Sequence, residues 1–125
     1  MFFSSRPNDL GVRDGRLAPC KPTPNCVSSQ ADPADATHYI EPLRGTIDDA
    51  RRVLAALPRV RIVREEANYL HAEFRTRLLR FVDDVELYFD GEVLHVRSCS
   101  RIGYHDLGTN RRRVESLRRL IEARR

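Results

Sequence analysis

Three groups of residues in this 125-residue chain have types and spacings that could carry chemistry. Cys20 and Cys26 lie within PCKPTPNC, a spacing open to a disulfide, to a reactive or metal-binding thiolate pair, or to neither, and unlike the two-residue spacing of redox motifs and zinc knuckles. Asp83 and Asp84 are adjacent, so a strand would send them to opposite faces, and they cannot serve as paired carboxylates. Asp83 shares the parity of Val85 and Leu87. That predicts a buried carboxylate with an obligatory partner, drawn from Arg77, Ser98, Ser100 or free N–H groups at a helix start. The third group is Arg101, Tyr104, Asn110 and Arg111, in the loop that delivers the last helix. Arg111, Arg112 and Arg113 stand in its first turn, against the preference of the helix dipole. Either Asp106 compensates from within the chain, or a phosphate, sulfate or carboxylate sits at the helix N-terminus among those four residues.

Other chemistries find no support. The four histidines show no metal-ligand spacing, there is no Gly-rich phosphate loop and no hydrolase order of Ser, His and Asp, and the sequence calls for no metal or cofactor. The net charge of +4 suggests nucleic acid until it is divided: the chain is balanced to within one charge through residue 108, and the excess of five lies in residues 109–125. Acidic Glu73, Asp84 and Glu86, expected on one face with the arginines, would repel a nucleic acid there. No apolar run approaches the ~20 residues of a membrane span, and the start, MFFSSRPNDLGVRDG, lacks the order of a secretory signal. The expectation is a soluble cytoplasmic protein with reduced, partly buried thiols at Cys20 and Cys26.

Residues 1–37 hold five of the seven prolines and read as an extended arm with a cysteine loop and little regular structure, followed by a single domain over 38–125. His38 to Leu43 predicts a short strand. Thr46 with Asp49 predicts a capping box, and Ile47, Ala50, Val53, Leu54 and Leu57 form one helical face before Pro58 stops the helix. Alternation then predicts four strands, with Asp90-Gly91 as a two-residue hairpin turn joining 81–89 to 93–102. A last helix begins near Thr109 with Val114, Leu117, Leu120 and Ile121 on its apolar face. The fold class is α+β, a single antiparallel sheet of about five strands with two helices on one face, in the order strand, helix, four strands, helix. The other face is expected to be open and polar, carrying Tyr69, His71, Glu73, Asp84, Glu86 and Arg97 among others.

Pro19-Cys20, Pro24 to Ser29, Arg80 to Glu86, Ser100 to Tyr104, Asp106 to Gly108 and Asn110-Arg111 together resemble the bacterial and plastid family known as domain of unknown function 1499, over about residues 18 to 123. The resemblance implies no activity. Its members carry Ser or Ala where this chain has Cys99, so neither Cys99 nor His105 is implied in a shared mechanism. The strand order also resembles the TATA-binding-protein-like fold, an architectural likeness that implies no DNA binding. The function expected from the residues is a non-enzymatic binding domain that holds a small anionic ligand or an acidic partner segment through the Arg101–Arg113 loop. The alternatives are an enzyme using Asp83 with the loop arginines, or a structural or interaction module.

Overall fold

Helix α1 (Ile47–Ala56) starts where the local chemistry demands it: the Thr46 side chain accepts from the Asp49 N–H, and the Asp49 carboxylate accepts from the Thr46 N–H. It stops at Leu57, whose extended backbone suits a residue preceding Pro58. The computed structural model that carries these contacts describes residues 5–77 and 81–124; the first four residues and Arg80 of the Arg80–Glu86 motif lie outside the described residues.

Four strands alternate as their apolar residues require, β4 (Val60–Glu66), β5 (Tyr69–Arg75), β6 (Val82–Phe89) and β7 (Leu94–Ser100), and helix α2 (Thr109–Glu122) follows. Ahead of α1 come two very short paired strands, β1 (Val12–Arg13) and β2 (Arg16–Leu17), and then β3 (Cys26–Ser28). The main sheet is antiparallel with strand order β3-β7-β6-β5-β4. Leu70, Ala72, Val85, Leu87, Leu94 and Val96 share one parity, and they form one core with Ala50, Val53 and Leu54 of α1 and Val114, Leu117 and Ile121 of α2. Among the described residues no helix is long and apolar enough to cross a membrane.

Four expectations are corrected. The fifth strand of the sheet is Cys26–Ser28, whereas His38 to Leu43 makes only isolated bridges, Tyr39 to Ser28 and Leu43 to Leu94, because Pro42 lacks the N–H that a continuous ladder would need. The segment before residue 38 thus supplies a strand, and its Val27 enters the core. The hairpin loop is Asp90–Val93 rather than two residues: the last pair is Phe89 with Leu94, and the Asp90 carboxylate draws the N–H groups of Glu92 and Val93 into a longer turn while Gly91 takes φ +105°. Leu120 is 45% exposed, away from the core.

Candidate functional site

A further correction concerns the sheet face opposite the core. Tyr69, His71, Glu73, Asp84, Glu86 and Arg97 are all buried, because the N-terminal segment lies across them. Arg6 bonds to Glu73 through Nε and Nη2 at 2.9 and 2.7 Å, the Gly11 N–H donates to Glu86 at 2.7 Å, and Asp9 with the Pro19 carbonyl meets Arg97 Nη2 at 3.3 Å. Parity put these polar groups on one face correctly. The mistake was to leave the face open, since charges drawn together so closely interact most strongly when water is excluded and they are paired, which holds for this layer apart from Arg97 Nε, buried without a hydrogen-bond partner. Tyr69 donates to Glu86, and burial pushes its phenol well above the usual value, with the Glu86 charge adding to the rise.

Arg101 belongs to this layer. Its guanidinium bridges Asp84 (Nε to Oδ2, 2.7 Å) and Glu73 (Nη2 to Oε2, 2.6 Å), and His71 Nε2 donates to Asp84 at 2.6 Å. His71, Glu73 and Asp84 lie close enough to share a cation, yet the guanidinium groups of Arg101 and Arg6 already occupy their oxygens. The four residues expected to surround an anion are therefore not brought together. Arg101 is committed to two carboxylates, Tyr104 is 60% exposed and packs edge-on against His105, Asn110 is fully buried, and Arg111 reaches the Ala36 and Thr37 carbonyls at 3.3 and 3.2 Å. The N-terminus of α2 is filled from within the chain. Asp106 accepts from the N–H groups of Gly108 (2.8 Å) and Asn110 (3.1 Å), supplying the negative charge that offsets the first-turn arginines. Burial opposes that charge, but the bonds from Asn110 outweigh it and hold the Asp106 carboxyl below its usual value. Gly108 takes φ +80°, and a Cβ there would meet Arg112 Nη1 at 2.8 Å.

Asn110 is a junction of separated motifs. Its amide donates to Asp106 (2.7 Å), Ser100 (2.9 Å) and the Asn25 carbonyl (3.2 Å), and its carbonyl oxygen accepts from Ser98 (2.6 Å) and Arg113 (2.9 Å). Asn25, also fully buried, donates onward to the Gly103 carbonyl at 2.8 Å. These contacts hold β3, β7, the loop and α2 in one arrangement, which is a positioning role with no open ligand site.

Asp83 is buried, and its partner is Arg113, at 2.8 Å, with Ser100 adding a hydrogen bond. Burial pushes its carboxyl above the usual value, and the Arg113 charge works against that rise. Arg113 lies over the Phe74 ring, 4.9 Å from its centroid, and marks the wall of a cavity. This groove of about 810 Å³ runs between the end of α1, the end of β5 and one side of α2. Among the described residues, Leu57, Pro58, Phe74, Phe81, Leu117 and Leu120 give it apolar walls, Arg59, Arg75, Arg77, Arg112 and Arg113 give it five guanidinium groups, and no acidic residue lines it. Phe81 and Leu120 are among the few large apolar side chains exposed in the described residues. Arg59 holds φ +59°, a left-handed backbone that a residue with a Cβ rarely takes and that often accompanies a binding edge. Sequence reading missed this site because three separate segments build it, and Leu120 read as one more residue of the buried stripe.

Cys20 and Cys26 do meet, and Cys99, set aside at first, joins them: it is the direct cross-strand partner of Cys26 in β3 and β7. The molecule is an α+β protein whose sheet has a buried ionic layer on one face, with an arginine-rimmed groove between helix and sheet ends. It belongs to the family described as protein of unknown function (DUF1499), which matches residues 16–121. No curated protein and no solved structure matches the chain.

Proposed function

We propose that this protein is a non-enzymatic binding domain for a small amphipathic anion, an apolar body ending in a carboxylate or phosphate. The observation that carries this reading is the groove, whose apolar walls and five arginines, with no acidic residue among the described lining residues, complement such a molecule in both shape and charge. Its volume suits one small ligand, and Arg112 and Arg113, at the end of the Arg101–Arg113 loop, bring the anion preference to it. Of the five arginines, Arg113 alone makes an ion pair among the described residues, with Asp83, and Arg59, Arg75, Arg77 and Arg112 make none. An ionised ligand could pair with these four without displacing an internal carboxylate. The likeness to the TATA-binding-protein-like architecture is part of the same proposal and carries no expectation of DNA binding.

Calorimetric titration with decanoate, decanol and acetate, each below any aggregation threshold, tests the reading. Decanoate is expected to bind; decanol, lacking the charge-assisted hydrogen bonds, should bind about tenfold or more weakly, and acetate, lacking the apolar body, should give no measurable heat. Leu120→Glu, which puts an acid on an exposed wall position, should abolish decanoate binding without unfolding the chain. Equal binding of decanoate and decanol would remove the arginines from the account, and binding of an acidic peptide alone would replace the small ligand by a partner segment.

A second reading, an enzyme using Asp83, has one observation in its favour: the raised carboxyl lies directly behind Arg113 at the groove wall. Loss of any measured turnover in Asp83→Asn would favour it, and turnover retained in that variant would end it.

A further inference from the structure

We propose that Cys20, Cys26 and Cys99 form a thiol–disulfide exchange centre, in which Cys26 passes a single disulfide bond between Cys20 and Cys99. All three sulfurs lie within 4.8 Å of one another, with Cys26 the loop neighbour of Cys20 and the direct cross-strand partner of Cys99. A sulfur makes one disulfide at a time, so two pairings compete for Cys26 and the third cysteine keeps a thiol. Between Cα atoms Cys20 and Cys26 are 5.7 Å apart on one loop, inside the usual disulfide range, and Cys26 and Cys99 are 4.1 Å apart across the strand pair, just short of it, so the first pairing is the more relaxed and the second the more readily broken.

The burial of the three residues gives the centre a direction. Cys26 and Cys99 are buried in the sheet, whereas Cys20 is partly exposed and lines a separate cavity of about 320 Å³ with Arg16, Asp35 and His38. A thiolate forms most readily where water reaches it, so external thiols and disulfides enter at Cys20. The same burial decides against a metal. Three thiolates around a monovalent or divalent soft cation would leave net negative charge in the sheet, whereas a disulfide and a thiol are both neutral.

In the exchange step, the Cys20 thiolate attacks the Cys26 sulfur of a Cys26–Cys99 disulfide. The Cys20–Cys26 bond forms, the Cys26–Cys99 bond breaks, and Cys99 leaves with the electron pair and takes up the proton that Cys20 released. Each state holds one disulfide and one thiol, so no electron enters or leaves. From the fully reduced chain the bond is made by a small disulfide such as glutathione disulfide, which takes up two electrons and two protons and departs as two thiols. The pairing sets the tether of the arm: Cys20 follows Pro19, whose carbonyl meets Arg97, so the Cys20–Cys26 bond clamps the end of the covering segment against β3, and the Cys26–Cys99 bond leaves it tethered by the backbone of residues 21–25 and its non-covalent contacts.

The test oxidises the full chain with glutathione disulfide, blocks the remaining thiol with N-ethylmaleimide and locates the blocked cysteine by tandem mass spectrometry. The parent is expected to divide into molecules blocked at Cys99 and molecules blocked at Cys20. Cys20→Ser, confined to the buried bond, should be reduced by dithiothreitol about tenfold or more slowly than the parent, because the accessible entry sulfur is gone. A single blocked position throughout the parent would overturn the proposal, as would reduction of Cys20→Ser at the parent's rate, or a reduced parent that holds one Zn²⁺ through all three sulfurs and resists oxidation. If Cys20→Ser does not fold, the blocking pattern of the parent decides.

Discussion

Arg101→Ala is expected to destabilise the fold by about 4 kcal/mol in denaturant unfolding, the range for removing one partner of a buried ion pair. The size follows from what the change strands: Glu73 and Asp84 would both stay in the sheet face with their shared guanidinium gone, each only a few per cent exposed. The pH dependence gives an independent check. Burial works against the charges on Asp84 and Glu73, yet the hydrogen bonds from Arg101 to both, with His71 on Asp84 and Arg6 on Glu73, outweigh it and hold both carboxyls below their usual values. A carboxyl lowered on folding stabilises the protein above its unfolded pKa, about 4 here, and that stability is lost as pH falls through the lower folded value. In Arg101→Ala, protonation instead relieves two buried carboxylates left with Arg6 and His71 as their remaining partners, so the gap between variant and parent should narrow below about pH 4. A cost under about 1 kcal/mol at pH 7 would mean that water already solvates this layer.

Asp83→Ala should cost about 3 kcal/mol, because it leaves the Arg113 guanidinium without its carboxylate, 12% exposed against the Phe74 ring. Asp83→Asn should cost clearly less. Burial raises the folded Asp83 carboxyl above its unfolded value, so the ionised form is disfavoured by folding and this group's contribution is greatest at low pH, the reverse of Asp84. The Asn variant also frees Arg113 for a groove ligand, and decanoate should bind it more tightly than it binds the parent. A cost below about 0.5 kcal/mol for Asp83→Ala, the usual range of a plain surface change, would contradict the buried pairing.

What could be read from the sequence was what neighbouring residues decide among themselves. Thr46 and Asp49 announce α1 within one turn, and the alternation of Val85, Leu87, Leu94 and Val96 marks two strands and their core face. What could not be read came from partners far along the chain. Arg6 reaches Glu73 and Asp9 reaches Arg97 from a proline-spaced segment with no periodic signal, so nothing local told a covered polar face from an open one. Asp106 was weighed as an internal counter-charge for α2, and whether its carboxylate reached the helix N–H groups depended on the turn at Leu107 and Gly108, both at positive φ. Cys99 escaped for a related reason: its cross-strand partner Cys26 lay in a segment read as an irregular arm.

The most direct measurement of the central claim is the map of amide chemical-shift changes in the ¹⁵N-labelled protein as decanoate is added. The account predicts saturable changes at residues 57–60, 74–77 and along the Thr109–Leu120 side of α2, with the Tyr104 loop and the cysteine cluster unmoved. Saturable changes centred on Tyr104 and His105, or none at any residue when decanoate is in excess, would contradict it.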